Sequence, residues 1–256
     1  MADLTRPTFI IGGAPRSGTN FLCHALDRHP AVYMAKPYMP EPKVFMGAEQ
    51  PWAVYAGRYA ELFAAAGGRP SLGEKTSYYL ENDAACRLIA RHLPEVRMLF
   101  VVREPVARAY SNYLWTKKNG LETLPFDEAV RLQGQRPSPL PPGREYARPY
   151  DYLPRGLYDV FAERWFAVLG RARVRFLLYE DLVSKPEAVL VGIQDFIGVR
   201  RAPLGADDLG VINSARDMGP PLDGALERTL RERLTPSVKR FAALTGLDVA
   251  AWGYPV

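Results

Sequence analysis

Short apolar runs alternate along the chain with longer stretches in which apolar residues recur every three or four positions. The first run, Thr8–Ile11, ends in Gly12-Gly13. Helical spacing follows over Ser17–Arg28 and stops at His29-Pro30, because the residue before proline avoids helical geometry. Further strands are expected at Ser71–Thr76, Arg97–Val102 and Val174–Tyr179. Arg97–Val102 is apolar after its first residue, as a strand buried on both faces requires. Helices are expected over Pro51–Ala66, Asn82–His92, Val106 to about Lys117, Leu157–Leu169, Pro186–Ile197 and Asp223–Leu244. Pro51 and Pro186 suit a first helical turn, and Asn82 suits an N-cap. The remainder reads as a proline-stiffened loop (Ala31–Gln50), an irregular Pro- and Gly-rich region (Asn119–Arg155), a loop at Arg200–Pro221 and a tail whose Trp252 and Tyr254 pack down. Strand–helix alternation of this kind predicts an α/β fold: a P-loop-like parallel β-sheet flanked by helices on both faces, in a single domain spanning 1–256.

Composition narrows the classes of partner. At 256 residues, 48% hydrophobic and 24% charged, the chain can bury a large core without staples. The formal charge of +5 is spread along the sequence, which suits an anionic ligand and argues against a nucleic-acid partner. No stretch approaches the ~20 apolar residues of a membrane span, and the short polar start predicts no signal peptide. Cys23 and Cys86 both fall in expected helices among apolar neighbours, so two unpaired core thiols and a cytoplasmic location are expected. His24, His29 and His92 have no metal-ligand spacing, and no metal is expected. The sequence carries no mark of oligomeric state.

The chemistry concentrates at Phe9–Leu22. A strand, a glycine loop and an open helix N-terminus together offer unpaired N–H groups and a positive dipole end to a phosphate. Gly13 and Gly18 have P-loop spacing, but Thr19 stands where that pattern has Lys, and the cation sits in the loop as Arg16. An anion site is expected, without ordinary ATP·Mg chemistry. Lys75 and Arg103 also fall at strand C-termini, where open α/β sheets bind ligands. Glu41 lies between Pro40 and Pro42, which fix its backbone and suit a positioned base. The long Asn119–Arg155 region reads as a lid or substrate loop.

Taken in order, these motifs resemble the sulfotransferases that use 3′-phosphoadenosine-5′-phosphosulfate (PAPS), in particular their heparan-sulfate and carbohydrate branch, from Phe9 to about Arg216. Gly13–Asn20 is similar to the family's loop for the donor's 5′-phosphosulfate, which implies donor contacts from Arg16, Ser17, Gly18, Thr19 and Asn20. Pro40–Phe45 resembles the segment bearing the catalytic Glu, which implies Glu41 as general base. Glu74-Lys75-Thr76 with Tyr78-Tyr79 resembles E-K-[ST]-x-x-Y. Lys75 and Arg16 are then expected to stabilise the leaving group, Lys43, close to Glu41 in sequence, to hold Glu41 or contact the acceptor, and Tyr78 to face the acceptor. Val101–Pro105 through Ser111 looks like the 3′-phosphate site, held by Arg103 and Ser111. Arg155–Tyr158 is similar to R-[SG]-x-Y, with Tyr158 near the adenosine, and Asn213–Arg216 resembles a late loop that closes over the 3′-phosphate through Arg216. The implied reaction is in-line transfer of a sulfuryl group to a hydroxyl or amine of a small-molecule or carbohydrate acceptor, without a metal. Asn119–Arg155 matches no acceptor pattern, so the acceptor stays open. Two other readings remain: a small-molecule kinase with an altered P-loop, in which Glu180-Asp181 would hold the metal, and a nucleotide-binding module without catalysis.

Overall fold

A computed structural model of the chain describes residues 6–205 and 220–255. It divides into two compact units, built from the described residues of Met1–Val101 with Trp165–Ile212, and of Val102–Arg164 with Asn213–Val256.

The first unit is a five-stranded sheet of order β2-β3-β1-β4-β5, formed by β1 (Phe9–Gly13), β2 (Val32–Met34), β3 (Ser71–Lys75), β4 (Arg97–Val102) and β5 (Val174–Leu178). β1 lies between β3 and β4 and runs parallel to both, with Ile11 opposite Lys75 on one side and Leu99 on the other. Every residue of β1 is buried, which explains its unbroken apolar run. Side chains alternate between the two faces. Phe9, Ile11, Leu99 and Val101 pack with Leu22, Ala25 and Leu26 of α1 (Thr19–Asp27), and with Leu190, Ile193 and Ile197 of α8 (Pro186–Ile197). In another part of this unit, Phe100 packs on Phe176 and on Trp165 of α6 (Tyr158–Leu169), whose indole N–H donates to the Leu80 carbonyl. Each such side chain contributes about 1.5–3 kcal/mol when fully buried.

Two elements here differ from the sequence expectation. β2 lies inside the stretch read as loop. Its three residues pair with β3 through Val32, Tyr33 and Met34, so the ladder and not the local pattern makes the strand. A short helix, α7 (Tyr179–Ser184), begins where a strand residue was expected. The other helices of this unit, α2 (Trp52–Leu62) and α3 (Asp83–His92), fall where the pattern placed them. Asn82 caps α3 by accepting from the Ala85 amide at 2.8 Å. Cys23 and Cys86 are buried and form no disulfide with each other, and burial pushes the Cys23 thiol up to about 12.

The second unit is helical, with α4 (Pro105–Lys118), α5 (Phe126–Arg131) and α9 (Gly224–Thr245). Glu104 caps α4 by accepting from the amides of Val106 and Ala107, and the Tyr254 hydroxyl donates to the same carboxylate. Tyr158, Phe241 and Trp252 form its aromatic centre, so the tail packs down as expected.

The Asn119–Arg155 region is more ordered than its composition suggests. Besides α5 it contains short 3-10 turns at Glu145–Ala147 and Pro154–Gly156. Its hub is Glu122, whose side chain is fully buried. Arg136 donates to both carboxylate oxygens at 2.9 and 2.6 Å, Tyr152 donates at 2.7 Å, and the amides of Thr123 and Leu124 add two more bonds. Arg136 also lies over the Tyr150 ring. Burial pushes the Glu122 carboxyl up, but these donors outweigh it and hold it down at about 2. Among the described residues no helix is long and apolar enough to cross a membrane.

Arg136→Met would leave a buried carboxylate without its counter-charge. Urea unfolding is expected to show a loss of about 3–5 kcal/mol near neutral pH. The folded value of Glu122 lies below its ordinary 4.5, so its contribution is fully present above 4.5 and is lost as pH falls toward 2. The gap between wild type and variant should narrow across that window.

Candidate active site

β3 ends in two charged residues that alternation sends to opposite faces. Lys75 turns toward α1 and donates to Asn20 Oδ1 at 2.6 Å, while Glu74 bonds with the hydroxyls of Tyr59 and Tyr79.

On the α1 side, Lys75 Nζ also donates to Glu41 Oε1 at 2.9 Å and lies 3.9 Å from Met39 Sδ. The ion pair is buried, with side chains 3% and 8% exposed. The Ser77 amide donates to Glu41 Oε2 at 3.1 Å, and the Ser77 hydroxyl donates to Oε1. Glu41 lies between Pro40 and Pro42, whose rings fix the backbone φ on either side of it. A buried ion pair contributes little net stability, because desolvation offsets the attraction. What this one does is fix a carboxylate and an ammonium in one geometry. Sequence reasoning found Glu41, Lys75 and Asn20 but missed Ser77, which follows the E-K-T motif directly and has no signal of its own.

The loop between β1 and α1 has the form of an anion cradle. Ala14 N donates to the Val101 carbonyl at 2.6 Å, and Leu80 N donates to Gly12 O at 2.8 Å. These bonds pin the loop on both sides. Arg16 is half-buried with φ 70°, a left-handed conformation costly for a side chain with a Cβ. Gly18 caps α1 at φ 85°, and no side chain caps the helix, so the first-turn N–H groups stay available to a ligand. Ser17 Oγ is fully buried and has no hydrogen-bond partner among the described residues. A buried, unpartnered hydroxyl at a helix N-terminus fits an oxyanion as ligand. The helix begins at Thr19, two residues later than the pattern suggested, because Ser17 and Gly18 belong to the cradle.

Tyr78 is half-buried at the turn after β3. Lys43 has φ 52°, and its amide donates to Thr76 Oγ1 at 2.9 Å. In the second unit, Arg103 follows β4 directly and is half-buried, and Ser111 is buried on α4. Tyr158 is only 1% exposed, and its hydroxyl donates to the Arg103 carbonyl at 3.0 Å, so it supports the main chain at Arg103. Arg216 lies outside the described residues. Among the described residues no group of three His, Cys, Asp or Glu side chains could hold a metal ion.

Residues 38–203 match the family model described as "Sulfotransferase family". The chain belongs to the sulfotransferase family; as such it is an enzyme, a transferase. It is 26% identical over 268 residues to human heparan sulfate glucosamine 3-O-sulfotransferase 6, covering 96% of this chain and 74% of that protein. It is 26% identical over 198 residues to mouse heparan sulfate glucosamine 3-O-sulfotransferase 3B1, covering 76% of this chain and 47% of that one. The chain thus spans between about half and three-quarters of these two relatives. Among solved structures, a sulfotransferase from Alicyclobacillus acidocaldarius superposes with a TM-score of 0.76 at 25% identity, covering 97% of this chain and 99% of that one.

The cradle leaves no room for a side chain at Gly13. A Cβ there would lie 2.7 Å from Leu80 Cβ and 2.8 Å from the Ser77 carbonyl, at φ 149°. Gly13→Ala is expected to cost about 1–3 kcal/mol, read as a lower melting temperature.

Proposed function

We propose that the protein transfers the sulfuryl group of PAPS to a hydroxyl of a carbohydrate or another small-molecule acceptor, with an amine as the alternative nucleophile. The observation that carries this reading is the buried Glu41 carboxylate, held by Lys75 and Ser77, with the same Lys75 bonded to Asn20 on the first turn of α1. The names of the two curated relatives, glucosamine 3-O-sulfotransferases, support a sugar hydroxyl as the nucleophile.

Sulfuryl transfer passes in line through a loose transition state, so the protein's work is positioning and charge stabilisation. The acceptor oxygen forms its bond to sulfur while the bond from sulfur to the 5′-phosphate oxygen breaks, and Glu41 takes the acceptor proton. Lys75, Arg16 and the first-turn N–H groups of α1 stabilise the charge growing on the departing phosphate. Ser17, Gly18, Thr19 and Asn20 cradle the donor's 5′ end, and the Ser17 hydroxyl gains the partner it lacks. By the sequence motif, Arg103 and Ser111 take the 3′-phosphate, Tyr158 acts on the adenosine side through Arg103, and Arg216 belongs to the same donor set. Lys43 and Tyr78 face the acceptor. Residues 1–256 act as one sulfotransferase domain, and 119–155 form its acceptor-side loop. Two buried cysteines that form no disulfide support a reducing compartment, the cytoplasm.

Calorimetric titration with adenosine-3′,5′-bisphosphate, without metal, is expected to show clear binding, and ATP with Mg²⁺ little; the reverse order would overturn the reading. Glu41→Gln should lower turnover at least about 100-fold while bisphosphate affinity stays near wild type. Arg103→Ala should weaken bisphosphate binding by about 10- to 100-fold, the loss of a charge-assisted hydrogen bond.

A further inference from the structure

Glu74 has no role in the chemistry above, yet it is fully buried at the end of β3 and is the focus of a hydrogen-bond network. Thr76 Oγ1 and the Tyr79 hydroxyl each donate to Glu74 Oε1 at 2.8 Å, and the Tyr59 hydroxyl donates to Oε2 at 2.5 Å. Two of these hydroxyls also face the loop that follows Glu41. Lys43 N donates to Thr76 Oγ1 at 2.9 Å, and Phe45 N donates to the Tyr79 hydroxyl at 3.0 Å. A backbone N–H can only donate. The two hydroxyls must therefore accept from the loop, and each turns its own proton to the one acceptor behind it, Glu74. Arg58 holds the alternate groups of the same segment, donating to Pro42 O at 2.8 Å and Val44 O at 3.1 Å. Four consecutive residues after Glu41 thus have a main-chain group fixed by a side chain, around a Lys43 in left-handed geometry.

We propose that Glu74 is a positioning residue for transfer: as a buried acceptor it orients the Thr76 and Tyr79 hydroxyls, which lock residues 42–45 and so hold Glu41 in its reactive place. Burial pushes the Glu74 carboxyl above the usual range, and the three hydroxyl donors work against that rise. The inference rests on Glu41 being the base. It adds that the shell behind the base, and not only its Lys75 partner, sets turnover. Tyr59 provides an internal control. It bonds the same carboxylate, but its hydroxyl touches no backbone of the loop.

The test compares wild type, Glu74→Gln, Thr76→Val, Tyr79→Phe, Thr76→Ser, Tyr59→Phe and Glu41→Gln. Water serves as the acceptor, and turnover is read as sulfate released from PAPS. Amide exchange at Lys43 and Phe45 and calorimetric affinity for adenosine-3′,5′-bisphosphate are measured alongside. Glu74→Gln and Thr76→Val should speed exchange at Lys43, and Tyr79→Phe at Phe45. All three should lower turnover by about 10- to 100-fold, the effect of a small misplacement of a reacting group. Bisphosphate affinity should hold within about two-fold, since the cradle lies on the other face of β3. Thr76→Ser restores both readouts, and Tyr59→Phe lowers the melting temperature alone. Exchange at wild-type rates in Glu74→Gln, or faster exchange with undiminished turnover, would overturn the proposal. Wild-type turnover in Glu41→Gln would remove the base reading, and the exchange data would still decide whether Glu74 orders the loop. An inactive Glu41→Gln beside a fully active Thr76→Val would remove only the positioning role.

Discussion

A single ammonium group ties the first unit's chemistry together. Lys75 Nζ bridges Asn20 on α1 and Glu41 on the proline-bounded loop, two stretches that meet only because β3 pairs beside β1. An unpaired carboxylate could not remain charged in so dry a place without a counter-charge. The sheet register, which sets Lys75 opposite Ile11, therefore decides where a buried carboxylate can find its counter-charge.

The loop from Glu41 to Phe45 straddles the end of β3. One side is held through Lys75 and Ser77, the other through the hydroxyls around Glu74. Two adjacent polar residues of a strand, Glu74 and Lys75, serve the two sides because successive side chains point apart. A helix could not have separated neighbours in this way, and neither could a strand ending one residue earlier.

The fold was legible where burial on both sides of a strand writes a continuous apolar run, as in β1 and β4. It was illegible at β2, whose three residues depend on a ladder with β3, and at α5 and α7, each a helix of six residues. The Glu122 hub was hidden because its partners, Arg136 and Tyr152, are 14 and 30 residues away. In the site, Glu41 announced itself by its flanking prolines and Lys75 by its place at a strand end. Ser77, Arg58 and Tyr59 gave no local signal, since only tertiary structure brings them to the loop. Tyr55 and Tyr59 are the buried residues of α2, but helical spacing says nothing of the hydroxyl that Tyr59 turns to Glu74.

The Glu122 hub has a consequence for how such an enzyme diversifies. The residues from Pro137 to Arg144 are almost all exposed, while the ends of their segment are fastened by Arg136 and Tyr152. Inherited changes from Pro137 to Arg144 alter the outer surface of the segment without touching the core. The glycines of the anion cradle allow no such drift. One part of the chain is thus open to trial and error over generations, and the other is closed to it.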